Sequence, residues 1–228
     1  MIKRYLTLLG LCFSMTLLSS CFEILEEINF NADGSGHMLV TVNLSKSRTK
    51  LASVMLLDSV NGHKVPSKDD INESLKQAVA HLKETKGVSN IKKTADFDNY
   101  IFTISCDFEK IENIDAIFKD AIRKQNKKES TNFSTTNFSY NDASKVFKRH
   151  FSYDTAVKKS FDRLKKEDKA IFEDASYTAI YRFKNEVQSV SNTNAKISPN
   201  KKAVFLRVAA MDLILGQKNL KNNIQLSK

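Results

Sequence analysis

Apolar residues recur along this chain with two different periods, and the switches between them lay out its elements. Ile24, Ile28 and Phe30 share one parity, and beyond Asp33-Gly34-Ser35-Gly36 the residues Met38, Val40, Val42 and Leu44 share one as well. A period of two on both sides of a glycine-bearing turn predicts a β-hairpin with one face on a core. The same alternation runs through Tyr100, Phe102, Ile104, Cys106 and Phe108, preceded by a strand near Val88 to Ala95. It returns in Tyr177, Ala179, Tyr181 and Phe183, and again in Val204, Leu206 and Val208 after a polar loop from Ser189 to Lys202. Cys106 is expected to point inward.

Elsewhere the period lengthens to that of a helix. Ser67 with Asp70 three residues on reads as a relaxed capping box, and Ile71, Leu75, Ala78, Val79 and Leu82 follow at helical spacing until Gly87. Ser45 is placed to cap a helix carrying Leu51, Val54 and Met55, followed by a loop from Asp58 to Pro66. Ile114, Ile117, Phe118, Ala121 and Ile122 mark another amphipathic helix that dissolves into the polar stretch Lys124 to Thr131. Val157, Phe161 and Leu164 give a thin stripe between Asp154 and Lys169, fit for an edge position. Segments around Phe133 to Tyr140 and Val146 to Phe151 read as a second hairpin turning near Asn141-Asp142. Ala209 to Leu215 is a short helix or strand continuation ending at Gly216, and Ile224 with Leu226 suggests a last edge strand. Without repeats or a proline-rich linker, the pattern predicts a single α+β domain, an antiparallel β-sheet with amphipathic helices packed on one side.

The first twenty residues stand apart from this pattern. Lys3 and Arg4 precede an apolar stretch from Tyr5 to Leu18, which Glu23, Glu26 and Glu27 follow closely. That is a signal-peptide layout, and a run of roughly 14 residues falls short of the roughly 20 that span a bilayer. Leu18-Ser19-Ser20-Cys21 resembles the lipobox of bacterial lipoproteins: an aliphatic residue, two small residues and a cysteine. The resemblance implies that residues 1–20 are removed and that Cys21, the lipid attachment site, becomes the acylated first residue of a domain over 21–228. Two or three acyl chains, palmitate among them, hold a domain durably to a membrane where one chain binds only marginally. Phe22, not Asp, follows the cysteine, and under the sorting habit of lipoproteins like those of enteric bacteria this implies the outer membrane.

Composition then narrows the chemistry. Loss of Lys3 and Arg4 with the leader lowers the formal charge of +10 by two, to +8, over about 208 residues. Cys12 leaves with the leader and Cys21 is taken by lipid, so Cys106 is left without a disulfide partner and the core alone must stabilise the fold. The charge is mostly lysine, clustered at Arg123, Lys124, Lys127 and Lys128 and from Lys158 to Lys169. A solvated surface is the first reading; attraction to an anionic bilayer or polyanionic envelope polymer is the functional one. No ribonucleoprotein signature, zinc finger or recognition-helix pattern is present, so nucleic acid is not an expected partner.

Candidate reactive groups do not assemble into a motif. Asn29, Asn31, Asp33 and Gly34 imitate the start of an EF-hand loop, but the twelfth position is Val40 instead of a bidentate acid. Ser35 near His37 lacks the strand-turn-helix elbow of a hydrolase. His37, His63, His81 and His150 show no paired-ligand spacing, Cys106 sits on an apolar strand face, and no glycine loop precedes a helix to cradle phosphate. The expectation is therefore no catalytic residue, no cofactor and no metal. Fifteen Phe and six Tyr without any Trp fill either a solid core or an apolar pocket for a lipid or other hydrophobic molecule.

The stretch from Cys21 to Ser45, with its acid-rich start, Asp33-Gly34-Ser35-Gly36 turn and closing Leu44-Ser45, is similar to the opening of envelope lipoproteins that include the LppM-type domain. The apolar strand and Asp212-Leu213-Ile214-Leu215-Gly216 segment near the C-terminus is similar also, although a C-terminal span found in some members is not seen here. The resemblance implies an α+β lipoprotein without a catalytic centre. The expected function is a non-catalytic, lipid-anchored cell-envelope protein that binds another envelope component, protein or polymer, the alternative being a carrier or sensor of a hydrophobic ligand.

Overall fold

The computed structural model describes residues 22–115 and 136–228. The alternating segments become β1 (Glu23–Phe30), β2 (Gly36–Asn43), β5 (Val88–Asp96), β6 (Ile101–Phe108), β9 (Ser176–Arg182) and β12 (Ala203–Ala209), which with β11 (Lys196–Ile197) form one sheet. Its spatial order is β11-β12-β9-β1-β2-β6-β5. Every pairing is antiparallel except β1 with β9, which run parallel because most of the chain lies in the connection between them. A small separate hairpin is formed by β3 (Ser59–Val60) and β4 (His63–Lys64).

A second, four-stranded sheet was not foreseen in the alternation pattern. It consists of β7 (Phe138–Asn141), β8 (Val146–Arg149), β10 (Val187–Val190) and β13 (Asn222–Leu226), in the order β10-β13-β8-β7. The hairpin turning after Asn141 is thus present but belongs to this sheet. The strand of Ile224 and Leu226 is not an edge strand, since β13 lies between β10 and β8. The supposed polar loop from Ser189 to Lys202 contains the end of β10 and all of β11. Both lie in short segments whose outward positions are polar, which hides a two- to four-residue strand from a periodicity test.

The two sheets bury a core of packed aromatic rings and aliphatic side chains between them. Ile28, Phe30, Met38, Cys106, Phe108, Ala179, Tyr181, Phe183, Val204, Leu206 and Val208 occupy the inner face of the large sheet, and each is at most 5% exposed. These are the parities that the sequence assigns to the core. Facing them, the Phe147 ring lies 5.0 Å from Phe30 and 5.0 Å from Tyr181, and Phe30 stacks on Phe183 at 5.2 Å. Gly36 is opposite both Phe30 and Phe108 in the register. A Cβ there would lie 2.4 Å from the Asn29 carbonyl oxygen and 2.6 Å from the Phe108 ring, so the close approach of strand and ring requires glycine.

The helices are α1 (Arg48–Val54), α2 (Lys68–Lys83), α3 (Thr155–Asp162), α4 (Lys166–Lys169) and α5 (Ala210–Ile214). Ser67 and Asp70 form the full capping box of α2, whose Leu82 enters the core. The helix ends at Lys83, before Gly87, which supplies a positive φ in the turn to β5. Ser45 opens a 3-10 turn (Ser45–Ser47) instead of capping, and α1 starts after it. The segment from Asp154 to Lys169 is two helices, with Asp154 capping α3 by accepting from the Ala156 amide. Residues 111–115 form a helical turn that buries Ile111 and Ile114. The rest of the expected helix, from Ile117 to Ile122, the polar stretch Lys124 to Thr131 and the signal segment through Cys21 lie outside the described residues. Among the described residues, no helix is long and apolar enough to cross a membrane.

Candidate functional site: an apolar groove beside Phe22

Where β1 begins and β2 ends, the chain builds an open groove of about 580 Å³. Phe22, immediately before β1, and Leu44, immediately after β2, form its floor at the edge of the large sheet. Leu51 and Val54 from one face of α1, and Val60 from the small hairpin, form one wall. Leu164, Ile171 and Phe172, around and beyond α4, form the other. Edge-to-face ring contacts tie this wall together, Phe22 to Phe172 at 5.9 Å and Phe161 to Phe172 at 5.7 Å.

The walls are fastened by polar contacts at the rim. Asn61, at positive φ in the β3–β4 turn, donates from Nδ2 to Asp168 at 3.0 Å, and Lys165 Nζ donates to the Asn61 carbonyl at 3.4 Å. His63 Nε2 lies 3.7 Å from the same Asp168 carboxyl. Lys50, Lys64 and Glu167 complete the rim, so the groove is apolar inside and charged at its edge. Its size and apolar interior fit an acyl chain or an apolar segment of a partner. The largest exposed apolar side chains of the described residues include Leu56 and Leu57, just past α1, at 86% and 52% exposure.

A second cluster lies inside the protein. Glu26, on the inner face of β1 and only 1% exposed, accepts from Tyr177 Oη at 2.5 Å and Tyr181 Oη at 2.6 Å, and Arg149 of β8 reaches it at 3.4 Å. Arg149 also stacks over the Phe138 ring at 4.6 Å and donates to the His150 carbonyl at 2.9 Å. Burial, and then the charge of Glu26, push both tyrosine hydroxyls well above their ordinary range. Burial opposes the charge of Arg149, but Glu26 and the two tyrosines outweigh it and hold the guanidinium protonated above its usual range. The group is enclosed between the sheets, and its chemistry is that of a clamp joining β1, β9 and β8.

A polar hollow of about 540 Å³ also opens beside β10 and β13, lined by Asn192, Thr193, Asn194, Asn219 and Lys221 among others. Asn192, just after β10, is occupied in bridging to the segment before β13, donating to the carbonyls of Asn219 and Lys221.

The residues singled out in sequence are not brought together. Asp33 accepts from the Ser35 amide and hydroxyl, closing the hairpin turn, while His37 Nδ1 pairs with Asp107 at 2.7 Å. His150 Nε2 meets Ser139 Oγ at 2.9 Å on the opposite sheet, and burial, then Lys148, lower its affinity for a proton. No group of three or more metal-type ligands forms among the described residues. Cys106 is buried and its thiol is pushed up to about 11 by burial and by the neighbouring charge of Asp107. The groove and the Glu26 clamp escaped the sequence reading. Their signals were an acid on the parity of Ile24 and Ile28, and two leucines that extend the apolar run of α1 beyond its helical face.

No family model matches the sequence, and no curated protein matches it. Among solved structures, the chain is similar to the folded domain of LppM from Mycobacterium tuberculosis, with 10% identity and a TM-score of 0.41, over 90% of this chain and 88% of that one. The functional reading therefore rests on the chain's own geometry.

Proposed function

We propose that this protein is a lipoprotein of the bacterial cell envelope, tethered through acyl chains on Cys21, whose folded part is a non-catalytic module that binds another envelope component. One observation carries the reading. Among the described residues, an open apolar groove has in its lining Phe22, the residue bonded to the proposed anchor. A tether at Cys21 sets that groove at the membrane, facing whatever the envelope presents there. The sequence rule that follows from Phe22 after the cysteine favours the outer membrane.

A second reading is favoured by the groove's volume. At about 580 Å³ it lies within the roughly 300–1,000 Å³ typical of small-molecule sites, and its apolar interior suits a carrier or sensor of a hydrophobic ligand. Intact mass of the membrane-extracted protein, beside Cys21→Ala, tests the tether: the wild type begins at an acylated Cys21 and the variant does not. An unmodified wild-type Cys21 sinks the proposal. A stoichiometric small hydrophobic companion, kept in mild detergent and lost with Val54→Asp in the groove wall, promotes the carrier over the binding module.

A further inference from the structure

We propose that the lobe from Ser45 to Val65 docks on an anionic lipid bilayer, with Leu56 and Leu57 entering the interfacial layer and Lys46, Arg48 and Lys50 lying over the headgroups. Three independent observations converge on that lobe. Leu56 and Leu57 are adjacent, 86% and 52% exposed, and stand at the end of α1 whose Leu51 and Val54 already line the groove. Single exposed leucines are ordinary, whereas an adjacent pair just past a helix that lines an apolar groove presents apolar surface that water disfavours.

Within the lobe itself the charge is mostly basic, while Asp70 pairs with Lys64 and Glu167 and Asp168 stand across the groove. Lys46, Arg48 and Lys50 are all exposed, Lys64 follows in the hairpin, and Asp58 is the one acid in the lobe. Basic residues beside exposed apolar ones are the arrangement that anionic headgroups attract, since the leucines gain by leaving water while the cations remain at the phosphate level.

The third observation is where the chain outside the described residues must go. Phe22 sits in the groove floor, and Cys21 is one residue away, about 3.8 Å from Cα to Cα. Acyl chains on Cys21 would bring the bilayer to this end of β1. The opposite end of β1, at the Asn31–Asp33 turn, is eight strand residues away, roughly 26 Å, and its exposed residues are small or polar. This inference rests on the tethered reading for its orientation, but its chemistry does not need the tether.

The chain contains no tryptophan, so one introduced by substitution is the sole indole probe. The full protein, extracted from membranes as Leu56→Trp or as Ala32→Trp at the far turn, is reconstituted into phosphatidylethanolamine vesicles containing phosphatidylglycerol with brominated acyl chains. Position 56 is highly exposed, so the substitution leaves the core untouched. The expected result is blue-shifted emission and several-fold stronger bromine quenching at position 56 than at position 32, with most of the difference lost when Lys46, Arg48 and Lys50 are replaced by Gln. Equal quenching at both positions, or quenching indifferent to those three charges, overturns the proposal. A blue shift that depends on protein concentration without lipid also overturns it and assigns the patch to a second copy of the chain. Intact mass of the same preparation reports the tether separately, so a failure of docking and a failure of anchoring are read by different instruments.

Discussion

At the scale of single residues, the most consequential group is the acid at position 26. Its parity places it in the core among Ile24 and Ile28, and the fold accepts it there only by surrounding it with Arg149, Tyr177 and Tyr181. Removing one member leaves its partner buried and uncompensated. Arg149→Met is therefore expected to lower stability by about 3–5 kcal/mol in urea titration, whereas Lys158→Met, which breaks an exposed pair with Asp162, leaves the urea midpoint essentially unchanged. The raised tyrosines set the alkaline limit. A hydroxyl whose affinity for its proton is greater folded than unfolded contributes fully below the ordinary value of 10.0 and loses that contribution as pH rises toward the folded value. Stability should thus fall above pH 10, and Tyr177 and Tyr181 should ionise, by ultraviolet absorbance, only as the protein unfolds. Cys106 gives the complementary test. Its thiol at about 11, against an ordinary 9.0, makes the reactive thiolate about a hundredfold scarcer at neutral pH, so alkylation should be slow in the native state and rapid in urea. The inward position of Cys106 was legible from alternation alone; the partners of Glu26 were not, because they come from strands more than a hundred residues away.

At the scale of elements, local chemistry decides what could be read in advance. The α2 capping box and the β1–β2 hairpin are written within a few residues, in Ser67 with Asp70 and in the glycine turn after Phe30. Both match their expected places. The second hairpin was legible as a hairpin, but its sheet was not, since strand order depends on contacts between Asn222–Leu226, Val146–Arg149 and Val187–Val190 that no local pattern encodes. The groove was illegible for the same reason: its walls come from α1, the small hairpin and the residues around α4, each an unremarked apolar stripe on its own. Within the first hairpin, Gly36 is the point of least tolerance. Gly36→Ala brings a methyl into the Asn29 carbonyl and the Phe108 ring, and should cost about 1–3 kcal/mol, seen as a lowered urea midpoint with unchanged slope. Gly62, whose Cβ would meet nothing within 4 Å, should tolerate the same change with only the mild strain of its positive φ of 87°.

At the scale of the whole molecule, the question is whether the two sheets are one cooperative unit or two that happen to touch. Their shared interior favours one. Phe147 of the small sheet contacts Phe30, Phe138, Tyr181 and Phe183, three of which belong to the large sheet or the residue directly following it. The Glu26–Arg149 pair crosses the same boundary, and Ile224 of β13 is fully buried within it. Neither sheet can expose its inner face without leaving these rings and this charge in water, so partial unfolding of the small sheet gains little chain entropy for a large loss of burial. Deleting residues 222–228 removes β13 and separates β10 from β8. If the sheets were independent, the large sheet would survive with a folded circular dichroism spectrum and a reduced urea slope. The shared core predicts instead that the shortened chain loses its cooperative transition altogether, while Phe147→Ala in the intact chain keeps a single transition lowered by about 3–5 kcal/mol. The groove beside Phe22 should then disappear with the core beneath it, because its floor includes the residue immediately preceding the strand that carries Glu26, Ile28 and Phe30 into that interior.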